Sequence, residues 1–348
     1  MSSTASGISR AAPEAAPDSW LAELLGAPLP AEGGSIETRG RVLAMRDGIL
    51  RARELVSPAQ AQTGDVFGYK WGRRESFEGG PRQFLRQWLI ERYGEVSAAP
   101  WLFATSANPI LLDAGCGAGV SALALFEPVL ARLRYLGVDI SAAVDVAKAR
   151  FAERGLPAAF MQVDLNRIPL AEGAVDLILA EGVLHHTDDT RAALAALLRH
   201  LKPGGRILFY VYRRKGPLRE FSDDYIREKL QAMTPEQGWQ ALMPLTRLGR
   251  ALGELDVEID VPEAVELLDI PAGRINLQRF FYWHVCKLFY RPEMSVEEMN
   301  HINFDWYSPR NARRHAPEEV RRWCEELGLA VERERVEEAG ITVIARKG

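Results

Sequence analysis

One stretch limits what this chain can fold into more than any other: Pro109 to Ser121, Pro-Ile-Leu-Leu-Asp-Ala-Gly-Cys-Gly-Ala-Gly-Val-Ser. The apolar run Ile110–Leu112 ends in Asp113, and Gly115, Gly117 and Gly119 follow on alternate positions. A helical spacing of apolar residues begins at Val120, so a buried strand turns sharply into a helix. Glycine admits positive φ and lets a ligand rest against bare backbone. A helix N-terminus adds N–H groups and the positive end of its dipole. The stretch therefore reads as a nucleotide cradle, with a ligand-free strand–helix turn as the alternative.

From this turn to about Tyr212 the chain alternates strand and helix, with strands at Ile110–Asp113, Tyr135–Asp139, Ala159–Val163, Val175–Ala180 and Arg206–Tyr212. Such alternation predicts a parallel sheet covered on both faces, with its ligand outside the carboxyl ends of the strands. The next hundred residues break the rhythm with helical patterns at Tyr225–Met233, Gly238–Leu252 and Gln278–Tyr290. A last helix opens at Ala316-Pro317-Glu318-Glu319, and Val331–Val336 and Ile341–Ala345 form a hairpin. Upstream, Arg41–Ala52 is expected to be a small hairpin, and 81–93 a helix with Phe84, Leu85, Trp88 and Leu89 on one face.

At 348 residues, 47% hydrophobic and 26% charged, the chain is long enough for one or two domains with a sizeable core. A net charge of −4 does not suit a general nucleic-acid or anionic-membrane binder. Three cysteines, Cys116, Cys286 and Cys324, make no disulfide framework, which points to the cytoplasm. No run approaches the roughly 20 apolar residues of a membrane span, and no secretory signal opens the chain. No metal-ligand spacing stands out.

The pattern D-x-G-x-G-x-G at Asp113–Gly119 resembles the nucleotide loop of class I S-adenosylmethionine (SAM) methyltransferases. The resemblance extends to Asp139, to Asp164 and to Glu181-Gly182-Val183-Leu184-His185-His186, followed by an acidic turn, a helix and Leu201-Lys202-Pro203-Gly204-Gly205. It implies an α/β, Rossmann-like, seven-stranded, mostly parallel sheet with a helical cap insertion and an N-terminal lid. The expected division is a disordered tail at 1–18, lid, hairpin and helices at 19–95, SAM-binding core at 96–212, cap at 213–313, and final helix and hairpin at 314–348.

Asp139, about twenty residues after the last loop glycine, would accept from both ribose hydroxyls. Asp164 would accept from the adenine amino group, with Val138, Ile140 and Leu165 beside the ring. Asp113 would attract the ammonium group of SAM, and Glu181 belongs to the same strand-end set. In Phe67-Gly68-Tyr69-Lys70-Trp71-Gly72-Arg73-Arg74, the aromatics and Lys70 read either as a lid, holding the sulfonium by cation–π attraction and the carboxylate by charge, or as a plug joining the N-terminal segment to the core.

Methyl transfer needs orientation, exclusion of water and, for a weakly acidic acceptor, a base. His185, His186, Asp305 and Tyr307 are the candidates, each with a structural alternative. Phe280-Phe281-Tyr282-Trp283-His284 is either core or the wall of an apolar acceptor site. The expected function is methylation of a small molecule at O, N or C in specialised metabolism, by a monomer or homodimer, with no nucleic acid and no membrane as partner. One alternative resembles azetidine-2-carboxylate synthases, in which the amine of SAM attacks its own Cγ and methylthioadenosine leaves. A dehydrogenase using NAD and a non-catalytic SAM-binding protein are the others. His284 and His301 read as structural.

Overall fold

A computed structural model describes residues 17–52, 56–79 and 81–348. The expected disordered tail lies outside these residues except for Pro17 and Asp18, which open helix α1 (Pro17–Leu25). Three short strands follow, β1 (Ser35–Thr38), β2 (Arg41–Arg46) and β3 (Ile49–Ala52), then α2 (Pro58–Gly72) and α3 (Pro81–Tyr93). The central alternation is β4 (Ile110–Ala114), α4 (Val120–Phe126), β5 (Arg134–Asp139), α5 (Ala143–Ala152), β6 (Ala158–Gln162), β7 (Val175–Glu181), α6 (Thr190–His200) and β8 (Leu201–Tyr212). The cap comprises α7 (Pro217–Leu230), α8 (Pro235–Glu254), a ribbon of β9 (Glu258–Val261) and β10 (Gly273–Asn276), α9 (Leu277–Phe280) and α10 (Val296–Tyr307). The chain returns to the sheet with α11 (Pro317–Glu326), β11 (Leu329–Val336) and β12 (Gly340–Lys347).

The sheet order is β1-β2-β3-β6-β5-β4-β7-β8-β12-β11. The last seven positions are the expected Rossmann-like sheet, parallel from β6 to β8, with β12 antiparallel to β8. Seven strands is nevertheless too few. The expected hairpin is β2 and β3, and with β1 it extends the sheet, because β3 pairs parallel with β6 through Leu50–Met161 and Arg51–Gln162. Left bare, the edge of β6 would expose a row of unpaired N–H and C=O groups. Arg51 fastens the joint, donating to Gln162 at 2.8 Å and to Asp145 on α5 at 3.2 Å.

Side-chain alternation divides the core into two layers. Leu112, Val138, Ile178 and Phe209 face one side with Trp20 and Leu24 of α1. Leu111, Tyr135, Leu179 and Leu208 face the other with Leu89 of α3 and Phe126 of α4. The functional cavity lies on this second face.

Two cap expectations change. The helix expected over Gln278–Tyr290 is only α9 plus one π-turn, Phe281–Val285, and Cys286 is already extended at φ −161° and ψ 156°. Successive aromatic and β-branched residues are poor helix formers, and Pro292 disfavours helix at the residue before it. Phe84 is exposed rather than packed with Leu85 and Leu89 in the core.

Candidate functional site

The carboxyl ends of β4 to β8 open into a cavity of about 770 Å³, roofed by α2 and the cap. This is at the upper end of small-molecule sites, roughly 300–1,000 Å³. Its floor is the glycine turn. Gly115 and Gly117 have φ of +70° and +50°, and a Cβ on Gly117 would stand 2.7 Å from Nε1 of Trp71. Gly119 is the N-cap of α4 and does not line the cavity.

Asp139 accepts from Gly117 N at 2.8 Å, Ser141 N at 2.8 Å and Ser141 Oγ at 2.7 Å. A carboxylate has about four lone-pair positions, so one remains for a ligand, fewer than two ribose hydroxyls need. Burial raises its pKa, opposed by those bonds. Asp164 has more capacity: both donors from Asn166, at 2.9 and 3.0 Å, reach Oδ1 and leave Oδ2 open to the cavity. Ile140 and Leu165 flank the two acids on the same wall.

Asp113 does not reach the cavity. It shares a sheet face with Asp139 and Glu181, but its register partners are Gly137 and Leu179, each two residues short of those acids. At about 3.3 Å per residue it sits roughly 6–7 Å deeper. There its carboxylate accepts from Tyr135 at 2.6 Å, and burial pushes its pKa up to about 7. Glu181 takes the position on the cavity wall. It accepts from Arg92 at 2.9 Å and from the Tyr93 hydroxyl, while the Arg92 guanidinium lies 3.6 Å from the ring centres of both Trp88 and Tyr210.

The aromatic stretch expected to form the lid is the last turns of α2. Trp71 covers Gly117, edge-on to Phe77 and His301 with ring centres 5.1 Å apart in both cases. Lys70 lies 4.1 Å from the Trp71 ring and donates to Asp305 of α10 at 2.8 Å. Tyr69 points away and packs on Trp239 and Phe304. The segment thus covers the cavity with Trp71 and Lys70 and plugs the cap with Tyr69.

Asp305 also accepts from Tyr212 at 2.9 Å. Burial would raise its pKa, but Lys70, His186 and Lys287 outweigh burial and hold it well below the usual carboxylate range. Tyr307 turns away from the cavity and donates to Asp223 at 2.6 Å. His185 is also off the wall, lying on Tyr212 with ring centres 3.6 Å apart. His186 is on it. Its Nδ1 is 2.6 Å from the carbonyl of Asn311, which only accepts, so Nδ1 carries the proton. Nε2 is buried without a partner, and burial lowers the imidazole pKa to about 4. A neutral ring with a free Nε2 can accept a proton.

The sequence reading overlooked Tyr210, Tyr212 and Lys287. The tyrosines alternate at the carboxyl end of β8, a position that marks ligand contacts. Lys287 carries no local signal. It is buried on the cavity wall, donates to Ile302 O at 2.9 Å, and burial lowers its pKa to about 7. Among the described residues no group of three His, Cys, Asp or Glu is placed to hold a metal, and no helix is long and apolar enough to cross a membrane.

A family model described as "Methyltransferase domain" matches residues 112–209, which run from β4 into β8 and carry the glycine turn, Asp139, Asp164, Glu181 and His186. This segment belongs to a methyltransferase domain family. Over 142 residues the chain is 32% identical to malonyl-[acyl-carrier protein] O-methyltransferase of Serratia marcescens, covering 40% of this chain and 51% of that protein. Over 96 residues it is 41% identical to trans-aconitate 2-methyltransferase of an Azoarcus species, covering 27% of this chain and 36% of that protein. A solved 1,6-didemethyltoxoflavin-N1-methyltransferase of Burkholderia thailandensis aligns with a TM-score of 0.43 at 16% identity, over 91% of this chain and 99% of that one. The chain spans between 27% and 51% of the length of the first three curated relatives it matches. The cap lies outside the methyltransferase domain matched by the family model.

Proposed function

We propose that the protein is a SAM-dependent methyltransferase acting on a small-molecule acceptor held between the methyltransferase domain and the cap. The observation that carries this reading is that Asp139, Asp164 and His186, whose Nε2 is buried without a partner, line one cavity. The donor set suits the cofactor: Asp139 keeps one lone-pair position for the ribose, and Asp164 keeps Oδ2 for the adenine amino group. Glu181, rather than the deeper Asp113, is the carboxylate for the ammonium group.

SAM, when bound, supplies a methyl carbon made electrophilic by its sulfonium. The protein's part is to orient the acceptor and keep water out. Trp71 and the Lys70–Asp305 pair close one side. His186 takes the acceptor's proton at Nε2 while Asn311 O holds its Nδ1–H, and the charge of Asp305 favours the imidazolium that results.

Incubation with SAM, with and without candidate acceptors, followed by mass spectrometry, tests the reading. S-adenosylhomocysteine that appears only with an acceptor supports it. Methylthioadenosine and a cyclic amino acid formed from SAM alone would replace it with the cyclising alternative. By calorimetry, Asp139→Ala should weaken SAM severely.

A further inference from the structure

Two guanidinium groups in the cap half of the cavity form no ion pair among the described residues. Arg279 leaves α9 with its guanidinium 5.6 Å from the ring centre of Tyr282. Arg291 ends the extended run after the π-turn, and its guanidinium lies 3.6 Å from the ring centre of Phe84. Both line the cavity, and among the described residues neither has a carboxylate within ion-pair distance. Nε of Arg291 is buried with no acceptor at all. Burial and then the charge of Arg279 lower the pKa of Arg291, opposed by Glu293 and Glu91, which act on it without forming an ion pair.

Neighbouring cations are satisfied within the fold. Arg219 pairs with Asp223 at 2.6 Å, Lys215 donates to the carbonyls of Arg213, Glu338 and Ala339, and Lys287 donates to Ile302 O. Glu337 pairs with Arg335 at 2.8 Å, Glu338 acts on His284, and Glu293 and Glu91 act on Arg291 without pairing with it. Two like charges in a partly desolvated wall repel, and an anion placed between them relieves that repulsion. The surfaces beside them are flat and apolar, with Tyr282, Trp283, Phe289 and Phe84 on the same cavity.

We infer that the acceptor is an anion, an aromatic or similarly flat apolar body carrying a carboxylate or phosphate, whose charged group is held between Arg279 and Arg291. This rests on the methyltransferase reading for the word acceptor, but anion binding by the two arginines is separable from it. A guanidinium fork matches either oxyanion, so carboxylate and phosphate probes are both needed.

The test measures binding of 4-hydroxybenzoate, 4-hydroxyphenyl phosphate and neutral 4-hydroxybenzamide to the full chain, alone and saturated with S-adenosylhomocysteine. At least one anion should bind more tightly than the amide by about tenfold, and Arg279→Met and Arg291→Met should each remove about that factor. Affinity for S-adenosylhomocysteine should stay unchanged in both variants. Arg279→Lys and Arg291→Lys, which keep the charge, should recover part of the anion binding and control for folding. Equal affinity for the amide and the anions, or no binding of any probe at millimolar concentration, overturns the inference. So does a parallel loss of S-adenosylhomocysteine affinity in the Met variants, because the arginines would then serve the cofactor's own carboxylate. Failure of the wild type to bind S-adenosylhomocysteine would instead sink the methyltransferase reading, while the anion result with the unloaded protein still stands or falls alone.

Discussion

Lys70 Nζ on α2 and Asp305 Oδ1 on α10 are 2.8 Å apart, joining a residue before the methyltransferase domain to one at the end of the cap. The Lys70 side chain is 6% exposed and that of Asp305 25%. The pair closes the cavity wall where two segments remote in sequence meet. Lys70→Met should cost about 1–3 kcal/mol by denaturant unfolding at pH 7, toward the lower end because Asp305 is partly open to water and keeps Tyr212. The folded-state pKa of Asp305 is depressed. Its contribution is therefore complete above the ordinary carboxylate value of 3.8 and disappears only as pH falls below it. The wild-type advantage over Lys70→Met should stay constant between neutral and weakly acid pH, and a gap closing above pH 5 would contradict the pairing.

Asp113 runs the other way. Its folded-state pKa is raised from 3.8 to about 7, mainly by burial. The folded state then holds a proton that the unfolded chain gives up, so this group's contribution to stability falls as pH rises from about 4 through 7. Asp113→Asn keeps an acceptor for Tyr135 and cannot ionise. It should flatten the pH dependence of Tm across that window and be more stable than wild type at pH 8. An unaltered profile would mean the carboxyl is not buried as described.

His186 and His185 should separate cleanly. A His186 resonance followed by NMR should titrate near pH 4 instead of the ordinary 6.5. His186→Asn should lower the methyl-transfer rate by about 10²–10⁴ with little change in SAM affinity. His185→Asn should act chiefly on stability, since that ring packs on Tyr212 away from the cavity wall. A His186→Asn protein as fast as wild type would remove the base role.

Gly117→Ala would place a methyl group 2.7 Å from Trp71 Nε1 at a φ of +50°. Tryptophan emission should shift as the indole moves, and SAM affinity should fall by about tenfold or more, with a backbone strain cost of about 1–3 kcal/mol. Unchanged emission and affinity would show that Trp71 does not cover the turn.

Local chemistry made much of this protein legible from its residues alone. Alternate glycines after an apolar strand demand a positive-φ turn. Asp139 ends a strand and Asp164 follows one by two residues, and the carboxyl ends of these strands face the ligand side in any parallel α/β sheet. The strand–helix alternation placed the parallel strands of the sheet along the chain, and their pairing order came from the folded structure. The depth of Asp113 was not readable that way. Its strand is buried on both faces, so hydrophobic pattern gives neither register nor face, and pairing with Gly137 and Leu179 decided that Glu181 and Asp139 reach the cavity while Asp113 does not.

Other contacts needed the folded chain for the same reason. Tyr69, Lys70 and Trp71 are consecutive, and helix geometry sends them to three different neighbours: the cap core, Asp305 and the glycine turn. His185 and His186 are adjacent and chemically identical, yet only His186 finds Asn311 O and lines the cavity. Arg279 and Arg291 are ordinary surface arginines as letters in a sequence, and only the packed structure shows that neither forms an ion pair among the described residues. Sequence determined which backbone turns and strand ends exist, because those follow from short-range sterics and spacing. Tertiary structure decided which side chains share the cavity, because register, depth and counter-charge are set by residues far apart along the chain.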